Sequence, residues 1–308
     1  VPWAAGESEN TGYGRAFRAL ARYPGFLPLF FSCDHGVGLG SRLWANETDC
    51  VYPVYLSWLE KKSSAMNKIA GKRAHYVPHP WVYYRKTHFA GSGGKGVGTL
   101  VFFPHSNATT SQVFDVDKYM EDLKQLPEKC HPIAICLSFH DVNAGLHKQL
   151  RKHNLPLVTV GHASSRRFVD RFYSLLFHFR YSSSPNIGSH TLYIIEAGVP
   201  FFLFGPYPKI QVKGSALTPD GTYGEEILGD AEEVEGIRKF MAMMYDIHDE
   251  LTPEQRRVAA HYMGMASPVT RNQLTWIIWR ESLSLRNWLV YFRETWRRIS
   301  GRLFSARG

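Results

Sequence analysis

Cysteine is scarce in this 308-residue chain, with only Cys33, Cys50, Cys130 and Cys136, and no two of them have the spacing of metal ligands. That excludes a zinc ribbon and a disulfide scaffold, and points to reduced thiols in a cytosolic compartment. No apolar run of about 18 residues occurs, so no segment here reads as a membrane-spanning helix. No secretory signal peptide is visible at the start, Val1. A phosphate-binding P-loop is also missing: the glycines of Gly91–Gly98 are not followed by Lys-Ser or Lys-Thr at the required spacing. The loops expected after the strands of the second domain offer few carboxylates and no H-x-x-x-H or H-x-H pattern, so no metal site is expected there. Acidic residues are outnumbered, 27 against 36 Lys and Arg, leaving a formal charge of +9 that suits an anionic partner. Two glycosylation sequons, Asn46-Glu47-Thr48 and Asn107-Ala108-Thr109, are short matches that carry little information.

The apolar content, 44%, is that of a globular chain, and the length allows two ordinary domains. Val1 to Gly25 reads as loop, and Phe26 to Ser32 as a short buried strand. That strand runs into the Gly-rich turn Cys33-Asp34-His35-Gly36-Val37-Gly38-Leu39-Gly40. Pro53 to Ala70 has helical spacing, and Ala74 to Val77 reads as strand. Gly91 to Gly98 holds five glycines in eight residues and reads as a linker. It separates an N-terminal domain, residues 1–95, from a second domain, residues 96–268.

Beyond the linker the pattern alternates. Strands are expected at Thr99–Phe103, Ile133–Phe139, Leu157–Val160 and Phe201–Phe204. Helices are expected at Phe114–Leu126, Val142–His153 and Arg167–Leu176. Short apolar strands between helices of this length predict βαβ units in a parallel sheet. The loops after such strands all lie on one rim. Here they carry His105 and Ser106, then His140 and Asp141, then His162, and then the Ser-rich segment Ser182-Ser183-Ser184-Pro185-Asn186. That segment leads into a helix opening at Ile187-Gly188-Ser189-His190 and carrying Glu196. A helix start rich in hydroxyls and free N–H groups favours a phosphate. A carboxylate two turns further on suits a ribose. Ser and Asn are equally the ordinary residues of a helix cap.

Three stretches carry a family likeness: Gly98-Thr99-Leu100-Val101-Phe102-Phe103-Pro104-His105-Ser106, Phe114-Asp115-Val116-Asp117-Lys118-Tyr119, and Ser183-Ser184-Pro185-Asn186-Ile187-Gly188-Ser189-His190 followed by Glu196-Ala197-Gly198-Val199-Pro200. His131-Pro132-Ile133 adds to them. With these the chain resembles glycosyltransferases of the two-Rossmann-domain type called GT-B, particularly those of bacterial surface polysaccharide synthesis. The resemblance covers residues 98 to 205. It implies an α/β fold with two Rossmann-like domains facing a cleft and a long C-terminal helix crossing back. It implies a nucleotide-sugar donor on the C-terminal domain, a glycan or lipid-linked acceptor on the N-terminal domain, and no metal or other cofactor. Donor contacts are then expected from His105, Ser106, His162, Ser183, Ser184, Asn186, Gly188, Ser189, His190 and Glu196, with Asp34 or His35 as the base facing the cleft. The nucleotide stays open among CMP, UDP and GDP. A nucleotide-sugar epimerase of the same architecture is an alternative.

In the C-terminal segment, residues 269–308, Val269 to about Leu303 reads as one long helix in which Trp276, Trp279, Trp288 and Trp296 interleave with Arg280, Arg286, Arg293, Arg297, Arg298 and Arg302. Packing back across both domains is one expectation. Peripheral contact with an anionic membrane, on its inner face, is the other. The charge also admits a non-catalytic nucleic-acid or membrane binder. Against nucleic acid, no basic-aromatic sheet motif is present.

Overall fold

The computed structural model describes residues 7–91, 96–106, 110–212 and 230–305. The protein is mixed α/β with parallel sheets, of Rossmann-like type. The first unit runs α1 (Tyr13–Ala21), β1 (Ser32–Cys33), α2 (Ala45–Thr48), β2 (Val54–Ser57), α3 (Glu60–Asn67), β3 (Arg73–Tyr76) and α4 (Pro80–His88). Its three strands pair in parallel in the order β1-β2-β3.

The second unit runs β4 (Thr99–Phe102), β5 (Thr110–Val113), α5 (Val116–Lys124), β6 (Ile133–Cys136), α6 (Phe139–Asn143), α7 (Leu146–Leu150), β7 (Leu157–Val158), α8 (Phe168–Leu176), β8 (Tyr181–Ser184), α9 (Ser189–Glu196), β9 (Phe201–Leu203) and β10 (Lys209–Val212). Its five-stranded parallel sheet has the order β7-β6-β4-β8-β9. The chain enters at the centre, winds to one edge, then returns to the other side of β4. This is the doubly wound order, and its direction reverses between β4 and β8. β5 and β10 form a separate antiparallel ribbon, with Val113 opposite Lys209. Four helices follow: α10 (Ala231–Ala242), α11 (Pro253–Tyr262), α12 (Arg271–Ser282) and α13 (Leu285–Ser305).

Local chemistry explains several boundaries. Asp115 caps α5 by accepting from the Lys118 N–H. Asp230 with Glu233, Thr252 with Gln255, and Thr270 with Gln273 form reciprocal capping boxes at the starts of α10, α11 and α12.

Two apolar cores hold the layers. One lies under a single face of the larger sheet, where Val101, Ile135 and Phe202 meet Tyr119, Met120 and Leu123 of α5. The other is continuous across both sheets. It joins Leu100, Cys136, Leu192 and Phe201 to Tyr13, Phe17, Trp58 and Trp81. At its middle the Trp81 ring stacks on Tyr193 with centroids 4.2 Å apart, and Phe172 and Tyr173 close around it at 5.2 and 5.4 Å. The indole N–H donates to the Thr11 carbonyl, so the ring is buried without an orphaned donor.

Several elements differ from the expectations. Tyr13–Ala21, read as loop, is a helix whose Tyr13, Phe17 and Leu20 enter the core. Within Pro53–Ala70, Val54–Ser57 is a buried central strand and only Glu60–Asn67 is helix. A four-residue apolar run has no period that separates strand from helix. The strand at Phe26–Ser32 shrinks to Ser32–Cys33. The helix at Val142–His153 is broken by Gly145, at φ +86°. Ser182–Ser184 are not a turn: they form β8 between β4 and β9, and the Ser182 hydroxyl donates to the Leu100 carbonyl at 2.8 Å. The long C-terminal helix is two helices, turning near Leu283 and Ser284. Both return to the first unit. Trp279 donates to the Ala21 carbonyl at 3.0 Å, and Trp288 meets Phe30 with centroids 4.9 Å apart. The expected linker falls partly on residues 92–95, and the second sequon on 107–109, which lie outside the described residues.

A continuous core predicts that both units unfold together. Trp81→Ala should cost about 3–5 kcal/mol, the usual range for emptying a buried large aromatic site. Urea unfolding followed by far-UV dichroism should show one transition, moved to lower urea. Two separated transitions in the parent protein would contradict a shared core.

Candidate functional site

The reversal point between β4 and β8 makes a crevice at the carboxyl ends of those strands, where open α/β sheets bind ligands. Pro104, His105 and Ser106 leave β4 on one side of it. Pro185, Asn186, Ile187 and Gly188 leave β8 on the other and open α9. The cap position of α9 is Gly188, which has no side chain to cap the first turn, and its own N–H donates to the Thr191 hydroxyl at 3.3 Å. Its first turn therefore presents N–H donors and the positive end of the helix dipole. Ser184 sits at the end of its strand, and its hydroxyl donates to the Asn186 side chain at 3.2 Å. Ser183 points to the opposite face, beside Val101 and Phe202, and its buried hydroxyl has no hydrogen-bond partner.

The first unit reaches the same spot. The Val37 N–H in the turn after β1 donates to the Ser189 hydroxyl at 2.8 Å. Gly36 has φ +72°, and a Cβ there would lie 2.5 Å from that hydroxyl oxygen, so the approach needs glycine. His35 is exposed next to it.

Histidines line the crevice. Solvent reaches His105, yet protein encloses it enough to lower its pKa; Asp141 opposes that shift, while His140 and His35 add to it. Those influences place His35 and His140 near His105 from two different loops. Part of His190 is open, but its ring lies against Phe102 at 5.2 Å and its Nε2 is buried without a partner. Burial, with His105 nearby, lowers its pKa to about 3. His190 is thus neutral near pH 7 and acts as a dipole, not a cation. His162 and His140 stand 6.0 Å apart by ring centroids, and His162 Nδ1 accepts from the Ser164 N–H. Asp141 is buried and pins two loops, accepting from the Ser106 N–H at 3.2 Å and the Ser138 hydroxyl at 2.6 Å. Its position after β6 was legible, but its bracing role carries no spacing signal.

Besides Ser183, two expected site residues do not face the crevice. Asp34 is 1% exposed. It accepts from the Tyr55 hydroxyl at 2.5 Å, the Ser57 hydroxyl at 2.9 Å and the Trp58 N–H at 3.0 Å, and Lys62 Nζ lies 3.2 Å away. Lys62 also pairs with buried Glu47 at 2.7 Å, and Glu47 accepts from the His35 N–H at 3.1 Å. Burial raises the Asp34 pKa, with Lys62 and Tyr55 opposing it. A carboxylate with both oxygens engaged has no lone pair aimed at a substrate, so Asp34 braces the turn that carries His35. Glu196 is the second case. It forms a two-bonded pair with Arg85 of α4, at 2.8 and 2.7 Å, one more tie between the two units. Sequence spacing placed Glu196 two turns from the helix start but held no sign of the arginine.

Among the described residues, no group of three or more His, Cys, Asp and Glu side chains is arranged to hold a metal ion. A separate cavity of about 380 Å³ lies beyond the His162 loop, lined by Arg15, Arg18, Tyr84, His88, Ser165 and Arg166 among others. No protein-family model matches the chain, and no curated protein matches it.

Two predictions test this arrangement. Asp34→Asn leaves Lys62 paired with Glu47 but sets an NH2 donor against the buried donors of Tyr55, Ser57 and Trp58, and should destabilise the protein by about 1–3 kcal/mol in urea melts. Loss of less than about 1 kcal/mol would remove Asp34 from the bracing role. For His190 the sign is fixed: its folded pKa lies below its unfolded value, so the unfolded chain takes up the proton first as pH drops. That contribution is present above pH 6.5 and is lost as pH falls toward about 3. In His190→Gln, the slope of stability against pH between about 6 and 4 should fall by up to one proton, about 1.4 kcal/mol per pH unit. An unchanged slope would show that the ring titrates alike in both states.

Proposed function

We propose that this protein is a glycosyltransferase of GT-B type, with two Rossmann-like domains facing a cleft. It moves a sugar from a nucleotide-activated donor to a glycan or glycolipid acceptor in surface polysaccharide synthesis, without a metal. One observation carries the reading. The start of α9 opens at the strand-order reversal, and histidines of three segments, one from the other sheet, converge there.

Glycosyl transfer from a nucleotide sugar breaks a bond between the anomeric carbon and a phosphate oxygen, so negative charge grows on the leaving phosphate. The N–H groups at Ser189 and His190 would receive it, helped by the α9 dipole. His105 and neutral His190 donate ring N–H groups there, and Ser184 with Asn186 lines the strand end. Base and ribose contacts fall to His162 and its neighbours, since Glu196 is committed to Arg85. The acceptor hydroxyl loses a proton as it attacks. His35, on the turn braced by Asp34 and Glu47, is the base in this scheme. The Arg15–Arg166 cavity lies at the border of the two units and offers room for an anionic acceptor.

The test is a thermal-shift panel of CMP, UDP, GDP, ADP and dTDP without metal. One nucleotide at a hundredfold its Kd should add about 2.7 kcal/mol of stability, a rise of several degrees. No shift by any of the five, with or without Mg²⁺, would defeat the nucleotide reading. With the responding nucleotide in hand, His35→Ala should keep that shift, while transfer from the matching nucleotide sugar falls by about a hundredfold or more.

A further inference from the structure

Helix α13 is held on one side only. Asn287 is buried, and its amide donates to the Glu281 carbonyl at 2.9 Å and to its carboxylate at 3.2 Å. Trp288 donates to the Ser282 carbonyl at 2.9 Å, and Trp288 and Tyr291 both lie against Phe30. At about 100° per residue these anchors share one face of the helix. Leu285, Leu289, Phe292 and Trp296 fall within an arc of about 60° on a different face. They are 74, 63, 61 and 71% exposed. Leu283, at the corner with α12, is also exposed. The stripe is about 17 Å long at 1.5 Å per residue.

Arg286, Arg293 and Arg297 run along one flank of this stripe, within about 40° of each other. Glu294 is the acidic residue facing them, 3.4 Å from both Arg293 and Arg297. A row of large apolar side chains beside a row of arginines matches the boundary of an anionic bilayer. Leu, Phe and Trp enter the acyl edge while guanidinium groups meet lipid phosphates. Nucleic acid supplies the charge but leaves the apolar row unsatisfied. A second copy in antiparallel pairing covers the row but sets arginine flank against arginine flank.

We propose that this face of α13 docks onto an anionic lipid surface, with the helix lying in the plane of the interface. The proposal does not depend on the nucleotide site.

The test is flotation of the full chain with vesicles of phosphatidylcholine alone and of phosphatidylcholine with phosphatidylglycerol, at low and high salt. Association is expected with the anionic vesicles and is expected to weaken with salt. Arg286→Gln, Arg293→Gln and Arg297→Gln together should weaken it by about a hundredfold. Leu289→Ala with Phe292→Ala should weaken it at least about tenfold, with melting temperature unchanged because both sites are exposed and Ala favours helix. Leu289→Glu with Phe292→Glu should abolish it. No association with anionic vesicles, equal association with neutral ones, or association untouched by the apolar variants would overturn the proposal.

Discussion

The stacking of Trp81 on Tyr193 is the joint on which the two sheets meet. Trp81 belongs to the helix that ends the first unit, and Tyr193 to the helix that opens at the reversal point. Tyr193 is also tied by its hydroxyl to Tyr13, at 3.0 Å, and lies 3.4 Å from His79. His79 is buried among aromatic rings, and its pKa is pushed well down by that burial. Aromatic rings with polar tips suit this place because they fill the core and still satisfy one another's hydroxyls. The helix bearing Tyr193 also carries Ser189 and His190. The joint that unites the sheets therefore also sets the position of the crevice.

A second constraint fixes the opposing lip. Asp34, Lys62 and Glu47 form a buried charged cluster in the first unit. Charges so enclosed are costly unless each is met by hydrogen bonds, and here Tyr55, Ser57, Trp58 and the His35 backbone supply them. Such a cluster holds its turn rigidly. His35 is thus presented by a stiff support and not by a mobile loop tip.

The second unit was far more legible than the first. Thr99–Phe102, Ile133–Cys136 and Phe201–Leu203 are short apolar runs between helical stretches, and that alternation alone implies a parallel sheet. Which loops share a rim follows from it, so His105, His140, His162 and the start of α9 fall into one group on the sequence alone. The first unit hides its pattern. Val54–Ser57 adjoins a helix with no turn signal, and α1 carries Gly12 and Gly14 at its start, which read as loop. Side-chain partners were the least legible of all. Nothing in the spacing of Glu196 reports Arg85, 111 residues away, and nothing near Asp34 reports Lys62. Serine misled for a plainer reason. Three consecutive serines suggest a turn by composition, yet between the apolar strands β4 and β9 they make a strand, and the Ser182 hydroxyl bonds the adjacent backbone.

The Val37–Ser189 hydrogen bond ties the turn of the first unit to the helix start of the second. The units behind it share one packed core, so the crevice has no hinge on which the halves swing apart. The turn that carries Val37 is tied down as well, through Asp34 and through the Gly36 carbonyl, which accepts from the Trp58 indole N–H at 2.8 Å. Both lips are therefore set before anything arrives between them, and whatever binds there would lose little free energy to ordering the protein.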